Sequence, residues 1–284
     1  MIEQMIVNGL LAGFIYIIMA LGFTLIFGIM RIVNFAHGEF YMAGAVVVLF
    51  LFGALGWNFF LAVVIAGFLA AALGIVIERV LFRPLVGNEL PGMIMSLAVG
   101  ITLQSIALIL FGPSEQSVQR PFSGTWQLVN AVVPWDRTVV AIAALVILAA
   151  FYLFLKHSRL GLAMQAVAQD RETSSLMGVE SGLIYASAFG IACALAGLAG
   201  GLMAPIYTIG PYMGELPMLK AFVVVILGGL GSVPGAVLGG LLIGLSESVL
   251  STLFSSTTAL IASFTIVLLI VVMRPTGLLG RGAP

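Results

Sequence analysis

Few residues in this chain could do chemistry, and they are scattered. Asn34, His37 and Glu39 fall within RIVNFAHGE, residues 31–39. His37 and Glu39 are charged or chargeable, but a lone His with one Glu is not a metal site. Charged or chargeable groups at the edge of a bilayer are costly unless partnered or wet. The trio therefore reads as a gate or pathway element near the cytosolic mouth. The plainer alternative is an interfacial capping motif, with Asn34 capping a helix that begins near Phe35 and Glu39 close to its positive end. Asn8, Thr24, Gln104, Glu215 and Glu247 are further polar groups in or near apolar runs, where such groups face protein or water. Glu215, just before Pro217, reads as a solvated loop residue, whereas Glu247 lies deep in an apolar run.

Several chemistries have no residues to carry them. There is no G-x-x-x-x-G-K-[ST] phosphate loop, no HExxH and no GxSxG. Cys193 is the only cysteine, so disulfides and cysteine metal sites are out. No catalytic, metal or cofactor-binding residue is assigned.

The elements that must position these groups are membrane helices. Of 284 residues, 62% are hydrophobic and 8% charged, and the mean hydropathy is +1.23. Soluble domains are about 25% charged, so a water-soluble fold is excluded. Lipid admits only helix bundles and closed barrels, and long unalternating apolar runs choose helices over barrel strands. The expected fold is an all-α polytopic bundle with spans near 5–30, 40–56, 59–80, 91–111, 139–155, 183–204, 219–250 and 259–273. The seventh is too long for one helix and is broken by GGLGSVPG, with Gly228, Gly229, Gly231 and Pro234 as the breaking residues. Two shorter spans or a re-entrant pair result, giving eight or nine crossings. The amino-terminal stretch, acidic at Glu3, reads as the first span rather than a signal peptide.

Arg31, Arg79, Arg83, Lys156, Arg159, Arg171, Arg274 and Arg281 then share one side; Arg120, Arg137 and Lys220 fall on the other. The basic excess marks the cytosol, placing the N-terminus outside and the C-terminus inside. Trp126 and Trp135, in the outer loop 112–137, suit the membrane interface. The formal net charge of +0 offers nothing to nucleic acid.

One polar island interrupts the oil. Residues 156–180 carry Lys156, Arg159, Asp170, Arg171, Glu172 and Glu180. Leu160, Met164, Val167 and Ala168 share a helical face, giving an amphipathic helix of two or three turns. Such a helix is too short to persist alone in water. Its polar face is not rich in Lys and Arg, as a membrane-surface helix would be, so a groove on a partner protein fits better.

Five stretches resemble the permeases of branched-chain amino acid ABC importers, in the family's order. They are NGLLAGFIYIIMALGFTLIFGIMRIVNFAHGEFYMAGA, ERVLFRPL, GLAMQAVAQDRETSSLMGV, FVVVILGGLGSVPGAVLGG and RPTGLLG. Nearly the whole chain is covered, and it resembles the shorter of the two permease paralogues in such systems.

The resemblance implies a single permease domain over 1–284 in the bacterial inner membrane, paired with a second permease paralogue and bathed by lipid. It also implies two cytosolic ATPases, which bind ATP and Mg, and a periplasmic substrate-binding protein. The family's coupling segment falls on 161–178, making Gly161, Met164, Ala168, Asp170, Arg171, Glu172 and Gly178 candidate ATPase-docking residues. Family members usually carry arginine where this chain has Gln165. The cargo implied is a branched-chain amino acid; urea, amides or aromatic acids are alternatives within the family. An ion-driven carrier or channel working alone is the rival outside it, and the 228–235 break is its only candidate ion-site element.

Overall fold

The computed structural model describes residues 2–128, 131–274 and 276–280. Arg281 lies outside them. The chain forms eleven α-helices and one small hairpin among these residues. Most of the helices are apolar on every side, so polar residues set their ends. Asn58 accepts hydrogen bonds from the Phe60 and Leu61 amides and starts α3, Phe59–Ile77. Ser232 and Ser255 do the same for α10, Val233–Leu253, and α11, Ser256–Met273.

The central helix is α1, Ile2–Met30, with more than half of its residues buried. It packs against α10 and against α8, Ser181–Met203. In lipid no hydrophobic effect drives helices together, so close contact depends on small residues. Gly13 meets the Gly240 carbonyl of α10, and Gly9 meets the backbone of Leu245. Gly44 lies against the backbone of Gly197 in α8, and Gly200 against the Tyr41 carbonyl.

Gly44 and Tyr41 belong to α2, His37–Val48, which continues as a π-helical stretch over Leu49–Ala54. Likewise α3 continues through Glu78–Phe82 to Leu85. The bundle is completed by α4, Glu89–Phe111, and α5, Trp135–His157, which are less buried and show much of their apolar surface to the outside. Between them strands β1, Thr125–Leu128, and β2, Ala131–Pro134, pair antiparallel with Trp126 opposite Val133. The sequence reading had no strand here. Trp126 and Trp135 lie side by side, ring centroids 6.0 Å apart. Gln4 of α1 bonds the Val132 carbonyl at 3.1 Å and accepts from the Val132 amide at 2.9 Å. A side-chain amide thus satisfies an edge strand's backbone.

Seven helices among the described residues are long and apolar enough to cross a membrane, against the eight or nine expected. The long run 219–250 does divide, but unequally. Its first part is α9, Glu215–Gly228, 14 residues or about 21 Å, too short for a hydrocarbon core of about 30 Å. The apolar run of α11, Ser256–Ile270, is also short.

The break itself is a tight turn. Gly228 ends α9, Gly229 (φ 101°) and Gly231 (φ 81°) are left-handed, and Pro234 lies in the first turn of α10. Those φ values exclude most side chains without strain. The tail folds onto this turn, with the Leu278 amide on the Leu227 carbonyl at 2.9 Å and Leu279 on Gly228 at 3.0 Å.

Substituting Gly44→Val would drive a side chain into the Gly197 backbone, where neither helix can give. The expected cost is about 3 kcal/mol or more. Thermal unfolding of the purified chain in detergent checks this, and an unchanged midpoint would refute the packing.

Candidate functional site

Two helices begin inside the bundle instead of at its ends. Arg31, left-handed at φ 54°, ends α1 and turns the chain back. Residues 32–36 then climb alongside α1 and α4. Gly92 packs on Ile32, the Phe35 amide donates to Ser96 Oγ at 3.0 Å, and Gly100 faces Ala36. When α2 starts, it is level with the middle of α1: the His37 ring nitrogen Nε2 lies 3.1 Å from the Met19 carbonyl, and the ring abuts Gly22.

The descending partner is α9. Residues 204–214 come down from the hairpin end, where Gln116 and Ile209 exchange backbone bonds of 2.9 and 2.7 Å. Gly214 then presses on the Gly38 backbone, with no room for a Cβ on either. The N-termini of α2 and α9 therefore meet near mid-depth. Each carries an acid in its first turn, Glu39 and Glu215, which offsets the positive end of its helix dipole. From α4, Gln104 Nε2 donates to Glu39 Oε1 at 2.8 Å and to Glu215 Oε1 at 3.4 Å. Glu39 is 4% exposed and its Oε2 has no hydrogen-bond partner. Glu215 is exposed.

A second polar cluster holds α9 from the other side. Lys220 Nζ lies 2.5 Å from Glu247 Oε1 of α10 and 2.7 Å from the Tyr16 hydroxyl of α1. Tyr16 donates to Glu247 Oε2 at 2.7 Å, closing a triangle. Lys220 also sits 4.9 Å from the Tyr16 ring centroid, within reach of a cation–π attraction.

At the end of the bundle that gathers Arg83, Lys156, Arg159 and Arg171, two short helices follow α5. Ser158 caps α6, Arg159–Gln169, by accepting from the Gly161 amide at 2.9 Å. Asp170 caps α7, Arg171–Leu176, through the Glu172 and Thr173 amides at 2.9 and 3.1 Å. The Thr173 hydroxyl on Asp170, with that amide, holds the carboxyl below its ordinary range. Arg171 lies 5.3 Å from the Tyr185 ring centroid of α8. At the tip, Leu176 and Met177 are 87% and 82% exposed, and Gly178 (φ 85°) turns the chain toward α8.

Several sequence expectations change. Asn34 does not cap α2, which starts at His37 with Ala36 before it. Its Oδ1 accepts from the Ala36 amide at 3.1 Å, making a turn just ahead of the helix. Asn34, His37 and Glu39 lie near mid-depth, not at the membrane edge, because residues 32–36 climb before α2 begins. Gly161 and Met164 are buried against the chain's own helices, the Met164 side chain at 1% exposure, so they are withdrawn as docking contacts. The apolar face of α6 finds its surface on α1, α5 and α8. Ala168, Asp170, Arg171, Glu172 and Gly178 are exposed. Glu215 opens a helix instead of resting in a solvated loop. Lys220 is not an end-of-span cation; it lies within α9 and pairs with Glu247 of α10. The available signal was charge in an apolar run at both Lys220 and Glu247, but their pairing spans 27 positions.

Residues 5–273 match the family model described as branched-chain amino acid transport system / permease component. The chain is 34% identical to the high-affinity branched-chain amino acid transport system permease protein LivH of Escherichia coli K12, covering 98% of this chain and 95% of that protein. BraD of Pseudomonas aeruginosa, of the same printed description, is likewise 34% identical over 98% of this chain and 95% of its own. LivM of E. coli K12 is 28% identical and longer, with 69% of its length covered. PsaBC from Streptococcus pneumoniae, solved with a Fab, aligns at TM-score 0.48 and 17% identity over 92% of this chain and 89% of that one, a likeness too slight to bear on the fold.

Removing one partner of a buried ion pair costs roughly 3–5 kcal/mol. With both side chains of the pair about one-fifth exposed, Lys220→Met should cost about 2 kcal/mol. The double variant Lys220→Met, Glu247→Leu should recover much of it. Thermal unfolding of the two variants side by side decides; equal losses would mean the pair does not hold α9.

Proposed function

Because the chain belongs to the branched-chain amino acid transport system permease family, we propose that it is one of two membrane subunits of an ATP-driven importer of branched-chain amino acids. The permease family and the existence of a longer paralogue in LivM support a second permease as partner. Two ATPases bind ATP and its Mg on the cytosolic side, and a periplasmic binding protein delivers the amino acid. The end carrying Arg83, Lys156, Arg159 and Arg171 faces the cytosol, by the excess of basic residues there.

The observation that carries the ATPase-driven reading is the tip of α7. Leu176 and Met177 are apolar, adjacent and almost wholly exposed on the aqueous side of a membrane protein. An adjacent apolar pair this exposed, beside the exposed polar residues of the same segment, offers a partner protein a contact. The α6 helix beneath it is seated on α1, α5 and α8, and Arg171 touches Tyr185 of α8. A push or pull on the tip therefore reaches the bundle through packed helices, without a flexible linker. Closure of the ATPases would move this unit, and the permease pair would alternate between outward-open and inward-open states as rigid bodies. Ala168, Asp170, Arg171, Glu172 and Gly178 form the rest of the docking surface. Of the mid-depth trio, Glu39, linked through Gln104 to the exposed Glu215, belongs to the pathway wall, and Asn34 and His37, buried behind it, hold its helix start in place. An ion-driven carrier working alone would leave the exposed tip without a purpose.

Leu176→Asp with Met177→Asp should strip the ATPase subunits from the affinity-purified complex while the permease pair still elutes as one monodisperse peak. Gly178→Trp, and charge reversal at Asp170 and Arg171, should act in the same direction. Full ATPase recovery together with normal leucine uptake in all three variants would sink the docking proposal, and leucine uptake by the permease without ATPases would sink the importer reading itself.

A further inference from the structure

We propose that the junction of α2, α4 and α9 is the subsite that receives the ammonium group of the amino acid in transit, a proposal that rests on the importer reading above. The junction is rich in acceptors and poor in donors. Four carboxylate oxygens of Glu39 and Glu215 face one donor nitrogen, Gln104 Nε2. Among the described residues no Lys, Arg or His lies within ion-pair distance of either carboxylate. Glu39 Oε2, on a side chain 96% buried by its 4% exposure, accepts nothing. A buried carboxylate oxygen without a donor is costly, and three N–H bonds on one small cation are what the group lacks.

The charge balance points the same way. With both acids ionised, two helix N-termini of roughly +0.5 each would leave about −1 at mid-depth, a state that a bound cation stabilises. Half-helix N-termini alone would favour an anion, such as a substrate carboxylate. Here each already carries its own acid in the first turn, so the open valence is for a cation.

Exposure tells which way the subsite faces. Glu215 is exposed at the depth of the middle of α1. A carboxylate turned toward lipid at that depth is expensive, so this face fronts water and the second permease. Two turns along α9 from Glu215, Phe222 lies 6.1 Å from Phe35 and 5.8 Å from Phe23 between ring centroids. Phe35 and Phe222 are half-buried and offer an apolar surface on the cytosolic side of the acids, suited to a branched aliphatic side chain.

The test uses the whole complex, both permeases with ATPases and binding protein, in proteoliposomes. Radiolabelled leucine uptake should fall at least tenfold for Glu215→Gln and for Glu39→Gln, and Glu215→Asp, which keeps the charge, should restore a substantial part. In parallel, Leu216→Cys places a thiol beside the acid; the native Cys193 is buried and stays silent. A membrane-impermeant cationic thiol reagent should label Leu216→Cys, and leucine under turnover should slow the labelling several-fold. Wild-type complex that takes up no leucine overturns the importer reading and this one with it. Normal uptake by wild type and by both glutamine variants overturns the subsite alone. So does labelling of Leu216→Cys only by a lipid-soluble maleimide. If a glutamine variant fails to assemble, the labelling result decides.

Discussion

Inside a bilayer every backbone N–H and C=O must find a partner within the protein, and the architecture follows from where this chain bends that rule. Residues 32–36 and 204–214 run as irregular backbone and isolated turns into the bundle. They survive there because protein surrounds them: Ser96 bonds the Phe35 amide, Asn34 bonds the Ala36 amide, and Gln116 pairs with Ile209. The glycine contact between Gly38 and Gly214 lets the two resulting half-helices meet. A side chain at either position would separate them and open the irregular backbone to lipid.

The meeting of two helix N-termini sets the electrostatics. Positive ends brought together at mid-depth repel, and Glu39 and Glu215 answer them from the first turns. Gln104 bridges the two acids from α4, a helix otherwise lightly packed in the bundle. On its other flank α9 is anchored by Lys220 to Glu247 and Tyr16. The short helix is thus tied to α1, α4 and α10 by polar bonds, where a full span would have relied on length and apolar packing. Directional bonds of this kind fix orientation as well as position, which a pathway wall needs and a lipid-facing helix does not.

Coupling to the aqueous side uses a different device. The apolar stripe of α6 is spent on the chain's own helices, with Met164 and Val167 buried, so the contact surface left over is the tip around Leu176 and Met177. Gly161 explains the seating: a Cβ there would strike the Phe154 carbonyl, so α6 lies directly on the end of α5. What a periodicity plot marks as one amphipathic helix is a bracket held from behind, with its working face at the far end.

By itself the sequence determined the membrane class, the approximate helices, the break at 228–235 and the polar island at 156–180. Each is local: hydropathy over a run, a Gly/Pro cluster, a concentration of charge. Family membership was legible as well, since ordered motifs need no three-dimensional information. Depth and pairing belonged to the tertiary structure. Nothing local says that residues 32–36 climb, so His37 read as an edge residue although it touches Met19. Nothing local joins Glu39 to Gln104 across 65 positions, or Gln104 to Glu215 across 111. A lone charge in an apolar run announces that some partner exists; which group that is depends on how the helices pack, because the pairing is made between helices by side chains far apart along the chain.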